Sequence, residues 1–173
     1  MTTNSNKTAL ITGASRGIGR ATTQALADAG TRVIIHYGRS RNEADSLLSE
    51  IRATGGQADI VSADLSSPNG VEMLSQQVRE IAGPQLDVIV ANAGISKAAP
   101  IENHTVEDFD NLFATNVRAP FFLVQQLLPL LKDGASIILV SSLQPGQYRA
   151  AWRHLTPDLR SPLCRFTQPP KGL

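Results

Sequence analysis

Short, unbroken apolar runs recur through the first 143 residues: Thr8–Thr12 (TALIT), Arg32–Tyr37 (RVIIHY), Ala58–Ser62 (ADIVS), Leu86–Ala91 (LDVIVA) and Ser136–Val140 (SIILV). Between them the apolar positions change to helical spacing, as in Ala44, Leu47, Leu48 and Ile51, and again in Val71, Leu74, Val78 and Ile81. Strands without polar alternation, separated by amphipathic helices, predict a parallel sheet covered on both faces. Helix ends are marked by Ala29-Gly30, Gly55-Gly56 and Gly83-Pro84. The longest helix is expected over about 106–132, opened by Thr105 with Asp108 as a capping pair and kinked at Pro120.

Composition narrows the class only a little. The chain has 173 residues, 42% of them hydrophobic and 18% charged, with a formal net charge of +1. That is one domain's length, and no run reaches the eighteen apolar residues of a membrane span. The start, MTTNSNKTALITG, lacks the apolar core of a signal peptide. A single cysteine, Cys164, excludes an internal disulfide and a multi-cysteine metal site. A cytoplasmic setting without metal or membrane partner is the expectation.

Charge is unevenly spread. Residues 1–143 carry 11 Lys+Arg against 14 Asp+Glu, a net of −3, whereas residues 144–173 carry 5 against 1, a net of +4. The last thirty residues also hold the only Trp, the only Cys and five of the ten Pro. They read as an irregular, basic, Pro-rich tail. Its five positive charges come with no nucleic-acid-binding motif, so nucleic acid is not an expected partner.

Candidate chemistry lies where the strands end. Strand 1 runs into TGASRGIG, Thr12–Gly19: Gly13 permits a tight turn, Gly17 lets backbone approach a diphosphate, and Gly19 lets the next helix pack closely. Ser15, Arg16 and Ile18 complete that turn. No Gly-Lys-Ser/Thr follows, which excludes a triphosphate loop. Asp64-Leu65 follows strand 3, where a carboxylate could accept from an adenine amino group or cap a helix. Asn92-Ala93-Gly94 follows strand 4, and Ser141-Ser142 follow strand 5. Asn116, a poor helix former inside the long helix, is either surface-exposed or functional.

Taken together, TGxxxGxG at 12–19, Asp64-Leu65, NAG at 92–94, Asn116 and Ser142 resemble the short-chain dehydrogenase/reductase family in its "classical" branch, over residues 7–143. The resemblance implies a doubly wound Rossmann-type sheet, here incomplete at its C-terminal side, and hydride transfer between NAD(P)(H) and an alcohol or carbonyl. It implies that Gly13, Gly17 and Gly19 line the diphosphate, that Asp64 meets adenine, and that Asn92 and Gly94 sit beside the adenosine half. Asn116 would hold a proton-relay water, and Ser142 would hydrogen-bond the substrate oxygen. The family also allows a homo-oligomer, with part of its interface missing from this chain.

Coenzyme choice follows from charge. After strand 2, where an NAD enzyme of this fold usually has a carboxylate, the chain reads His36-Tyr37-Gly38-Arg39-Ser40-Arg41. Arg39, next to Ser40 and helped by Arg16, suits a 2′-phosphate that a carboxylate would repel. NADP(H) is therefore expected over NAD(H), with a solvated loop as the plainer account of Arg39 and Arg41.

The resemblance also implies a Tyr-x-x-x-Lys pair near residue 155. The chain reads His154-Leu155-Thr156 there; the nearest tyrosine is Tyr148 and the only lysine beyond 132 is Lys171. Impaired activity is expected, or a non-catalytic NADP(H)-binding fragment or module. We expect a frameshift after Leu143: the codons of Gln144–Arg149, read one base earlier, permit Ala-Ala-Arg-Ala-Val-Ser, small residues of the kind the family shows there. A purposely evolved basic tail is the competing account. Without a sixth strand, Ser136–Val140 would form an apolar edge prone to association.

Overall fold

The structure, a computed structural model, describes residues 7–141. Ser142 and the tail at 144–173 lie outside the described residues, together with Tyr148, His154 and Lys171.

Five strands form one sheet: β1 (Thr8–Ile11), β2 (Arg32–Tyr37), β3 (Ala58–Ser62), β4 (Leu86–Ala91) and β5 (Leu131–Leu139). All neighbours pair in parallel, in the order β3-β2-β1-β4-β5. Helices α1 (Gly17–Asp28) and α2 (Arg41–Ala53) connect the first three strands. Helices α3 (Gly70–Ala82), α4 (Val106–Phe113) and α5 (Ala119–Leu127) serve the rest. The parallel sheet expected from the apolar pattern forms, with the doubly wound topology that the family resemblance implies.

Alternation along each strand feeds two cores. Leu10, Ile34, Val61 and Ile89 join Val71, Leu74 and Val78 of α3 and Leu123 and Leu127 of α5. Their neighbours Ala9, Ile11, Val33, Ile35 and Val90 join Ala44, Leu47 and Ile51 of α2 on the other face. Because side chains point alternately up and down, a strand buried on both faces needs apolar residues at every position. That is why β2 contains no polar alternation.

Two boundaries depart from the sequence expectation. The long helix is three pieces: α4, a π-helical stretch over Ala114–Arg118, and α5. Pro120 has no N–H to give the carbonyl of Asn116 four residues earlier, so the regular ladder cannot pass. The helix also stops sooner than expected. Pro129 sits in a 3-10 turn at Leu128–Leu130, and β5 begins at Leu131 rather than Ser136. Its first pairing, Leu86 with Leu131, is separated by a register shift from the regular run starting at Val88 and Ser136. The Thr105 capping box forms as expected, with its hydroxyl accepting from Asp108 N–H and Asp108 accepting from Thr105 N–H.

Candidate coenzyme site

In a parallel sheet all strands end on the same side. The sequence order doubles back between β1 and β4: the chain leaving β1 enters α1 and continues to β2, while β4 lies on β1's other flank. Loops from these two strands diverge there, and the crevice between them is where folds of this kind take a ligand.

The glycine turn after β1 is held by its neighbours rather than by its own chain. Gly13 has φ +63°, a left-handed conformation, and a Cβ on it would lie 2.9 Å from Ala93 Cα. A Cβ on Gly19 would overlap the carbonyl oxygen of Gly13 and Nδ2 of Asn92. Both positions therefore demand glycine, one for conformation and one for close packing. Helix α1 starts after Arg16 with no side-chain cap and no acidic residue in its first turn. Its leading N–H groups and the positive end of its dipole are left for an anion. Ser15 is buried beneath the turn, whereas Arg16, Gly17 and Ile18 are exposed around it.

A second set of bonds joins this turn to the loop after β4. The Thr12 hydroxyl accepts from the N–H groups of Asn92 (3.0 Å) and Ala93 (2.9 Å). The amide of Asn92 donates back to the carbonyls of Thr12 (2.9 Å) and Gly13 (3.2 Å). The side chain of Asn92 thus braces the crevice, and Thr12, part of the glycine motif but given no role from sequence, is the hydroxyl that ties the two loops. Its signal was available: a hydroxyl at the end of a buried apolar strand needs partners.

Asp64 follows β3 as expected. Its carboxylate accepts from the Ser66 N–H (2.9 Å) and hydroxyl (2.6 Å), and lies 3.7 Å from the Arg39 guanidinium. The Ser66 hydroxyl first, then the Ser66 amide and Arg39, hold its carboxyl below the usual carboxylate range. Leu65 points into the core beside α3. Arg118 donates to the Ser66 carbonyl (2.9 Å), tying the loop to the π-helical segment. Arg39 itself is almost fully exposed, and Ser40 stands just before α2, its carbonyl accepting from the Ala44 N–H while its side chain makes no capping bond. Beside them a shallow cavity is lined by Ser15, Arg16, Gly17, Arg20, Asn42, Glu43 and Ser46.

Asn116 does more than face solvent. Its Oδ1 accepts from the Ile95 N–H and its Nδ2 donates to the Ile95 carbonyl, each at 2.9 Å. This reciprocal pair pins the loop that follows Gly94. A Cβ on Gly94 would come within 3.4 Å of Asn116 Oδ1. Lys97 pairs with Asp108 (2.5 Å), fastening the same loop to the start of α4. The structure thus brings the expected residues from Gly13 to Gly94 to one edge of the sheet and sets Asn116 against their end. Ser142 lies outside the described residues. Among the described residues, no group of three or more His, Cys, Asp or Glu could hold a metal ion, and no helix is long and apolar enough to cross a membrane.

A parallel α/β sheet with a glycine turn, an uncapped helix start and a crevice at its strand reversal defines a dinucleotide-binding class of fold. The model of the short chain dehydrogenase family matches residues 7–154, and the chain belongs to that family. Similar curated proteins include versicolorin reductase stcU of Emericella nidulans, 38% identical over 136 residues, and hydroxynaphthalene reductase arp2 of Aspergillus fumigatus, 39% identical over 142. These matches cover 79% and 82% of this chain but 51% and 52% of the relatives, so the chain spans about half the length of the curated relatives it matches. Among solved structures, the landomycin C-6 ketoreductase LanV with bound NADP and rabelomycin is 42% identical with a TM-score of 0.75, covering 81% of this chain and 59% of that one. A short chain dehydrogenase from Burkholderia cenocepacia in complex with NADP is 37% identical with the same TM-score, covering 79% and 55%.

Proposed function

We propose that this chain binds NADP(H), in preference to NAD(H), as part of a reductase that transfers hydride between the coenzyme and a small-molecule carbonyl or alcohol. The observation that carries this reading is the end of β2: an exposed Arg39 stands there, and no carboxylate occupies His36–Arg41. A carboxylate at that place would bind two ribose hydroxyls, whereas a guanidinium suits a 2′-phosphate. The bound NADP in LanV and in the Burkholderia protein supports the choice, and the reductase names of the fungal relatives support the direction of transfer.

The residues present fit a dinucleotide. Gly13, Gly17 and Gly19, with Ser15, Arg16 and Ile18, would bed the diphosphate against the start of α1. Asp64 would accept from the adenine amino group, with the backbone at Leu65 beside it, and Ser40 would join Arg39 at the 2′-phosphate. Asn92, Ala93 and Gly94 would wall the adenosine half. The coenzyme, when bound, supplies the hydride. Asn116 would hold a relay water through its carbonyl, since its side chain is engaged by Ile95 and Pro120 denies that carbonyl its helical donor. Ser142 would orient the substrate oxygen.

Fluorescence titration tests the coenzyme reading. NADPH should bind the unmodified protein more tightly than NADH, and Arg39→Asp should cost NADPH roughly 10–100-fold, the loss expected for one charge-assisted contact. Tighter binding of NADH by the unmodified protein would overturn it. A second reading, a non-catalytic NADP(H)-binding module, is favoured by one observation: residues 143–173 contain no Tyr-x-x-x-Lys. Turnover separates the two.

A further inference from the structure

His36 interrupts the apolar run of β2 with an ionisable side chain that is only 2% exposed. Its ring is used at both nitrogens. The Gly13 N–H donates to Nδ1 (3.2 Å), and Nε2 lies 3.1 Å from the carbonyl oxygen of Ala63. A neutral imidazole that accepts at Nδ1 carries its proton at Nε2, so the second contact is a donated hydrogen bond. The main chain grips the same two loops: Ala14 N–H donates to the His36 carbonyl (2.8 Å), and Ala63 N–H donates to the Tyr37 carbonyl (3.2 Å).

Ring and backbone together clamp the glycine turn after β1 to the residue immediately before Asp64. An apolar side chain of similar size would fill the space but would leave the Gly13 N–H and the Ala63 carbonyl without these partners. Because the Gly13 amide is turned inward to the imidazole, this glycine serves a diphosphate by shape, and the anion meets the amides at the start of α1.

We infer that His36 is a positioning residue for the dinucleotide, setting the distance between the diphosphate turn and the adenine wall at Asp64. This rests on the proposed binding of NADP(H). A ligand that needs both places at once depends on the clamp, whereas a ligand that uses only the adenosine end does not. Burial supports the assignment by holding the imidazole neutral, with the pKa lowered to about 4 against a small opposing effect of the Ala63 carbonyl.

The test compares NADPH with 2′-AMP, which carries the adenine and 2′-phosphate but no diphosphate. His36→Leu should weaken NADPH by about tenfold or more, the size of one lost buried hydrogen bond, and 2′-AMP by less than about twofold. A fold-wide loss of stability would move both ligands alike. His36→Asn places Oδ1 near the position of Nδ1 and should recover NADPH binding. His36→Gln, which reaches towards Ala63 instead, should not. Unchanged NADPH affinity in His36→Leu, or equal losses for the two ligands, overturns the inference. If His36→Leu does not fold, the Asn and Gln variants decide: NADPH must bind the Asn variant more tightly, and an equal or reversed order overturns it. Amide exchange at Gly13, measured without ligand, separates this inference from the coenzyme reading. If the unmodified protein fails to bind NADPH, the coenzyme reading falls. Faster Gly13 exchange in the Gln than in the Asn variant still supports the clamp, and equal exchange refutes it.

Discussion

Strands β2 and β5 are made of nearly the same material and meet opposite fates. RVIIHY in β2 is buried from Val33 to Tyr37, with Val33, Ile34 and Ile35 wholly inaccessible. SIILV, most of it in β5, leaves Ile137 43%, Ile138 48%, Leu139 65% and Val140 38% exposed. Strand β2 has β1 and β3 on its flanks and helices on both faces, whereas among the described residues β5 pairs with β4 alone. An unbroken apolar run encodes the demand for burial on two faces; neighbours decide whether the demand is met. The comparison reaches function as well. Strands β1 to β4 carry the proposed coenzyme cradle, whereas Ser142, proposed to orient the substrate oxygen, follows β5 in the sequence and lies outside the described residues.

The largest effect that could break this contrast is catalytic. On the second reading, the chain, whose residues 143–173 contain no Tyr-x-x-x-Lys, should show no NADPH oxidation with a panel of ketones, aldehydes and quinones, because loss of a general acid alone costs roughly 10²–10⁴ in rate. Turnover that disappears in Ser142→Ala would favour the reductase reading and require a general acid other than a Tyr-Lys pair.

Stability should separate the two strands next. Ile34→Ala deletes methyl groups from a fully buried site and should cost about 2–5 kcal/mol, read by urea or thermal unfolding. Ile138→Ala, half exposed, should cost less than about 1 kcal/mol. Equal costs would indicate that β5 is covered in solution.

Acid should act on β2 through His36, while Asp64 and other carboxylates with lowered pKa add their own loss at lower pH. The folded pKa of His36, about 4, lies below its ordinary value of 6.5, so between those values the unfolded chain binds more protons. The neutral ring's contribution is therefore complete above pH 6.5 and is lost as pH falls through 4, about 3 kcal/mol in all. His36→Gln should flatten this part of the stability profile, and an unchanged acid slope would contradict the assignment. The smallest expected effect is at the β5 edge. Sedimentation should reveal self-association that Ile138→Lys weakens by about tenfold, since a charge on an open strand edge discourages pairing. A monomer before and after the substitution would remove the edge from consideration.

The β1–β4 side was legible because its signals are local. The bounds of β2, β3 and β4 follow the apolar runs residue for residue, and the Thr105–Asp108 capping box needs only four positions in line. Gly13 and Gly19 could be assigned because a missing Cβ has meaning in one turn. Less was legible where distant groups decide. The early end of α5 and the start of β5 at Leu131 depend on Pro129 and on a pairing with Leu86, forty-five positions away (131 minus 86).

The amino-acid sequence by itself determined the alternation of strands and helices, the glycine turn, the absence of a carboxylate after β2 and the family to which the motifs point. Tertiary structure alone decided that Thr12 and Asn92 brace each other, that Asn116 spends its amide on Ile95, and that His36 spans Gly13 and Ala63. Propensity and periodicity act between residues a few positions apart and are written in the order of the chain. A buried polar side chain instead takes whichever partner the completed fold brings within 3 Å or so, and only the sheet's crossovers bring residues 12 and 92 together.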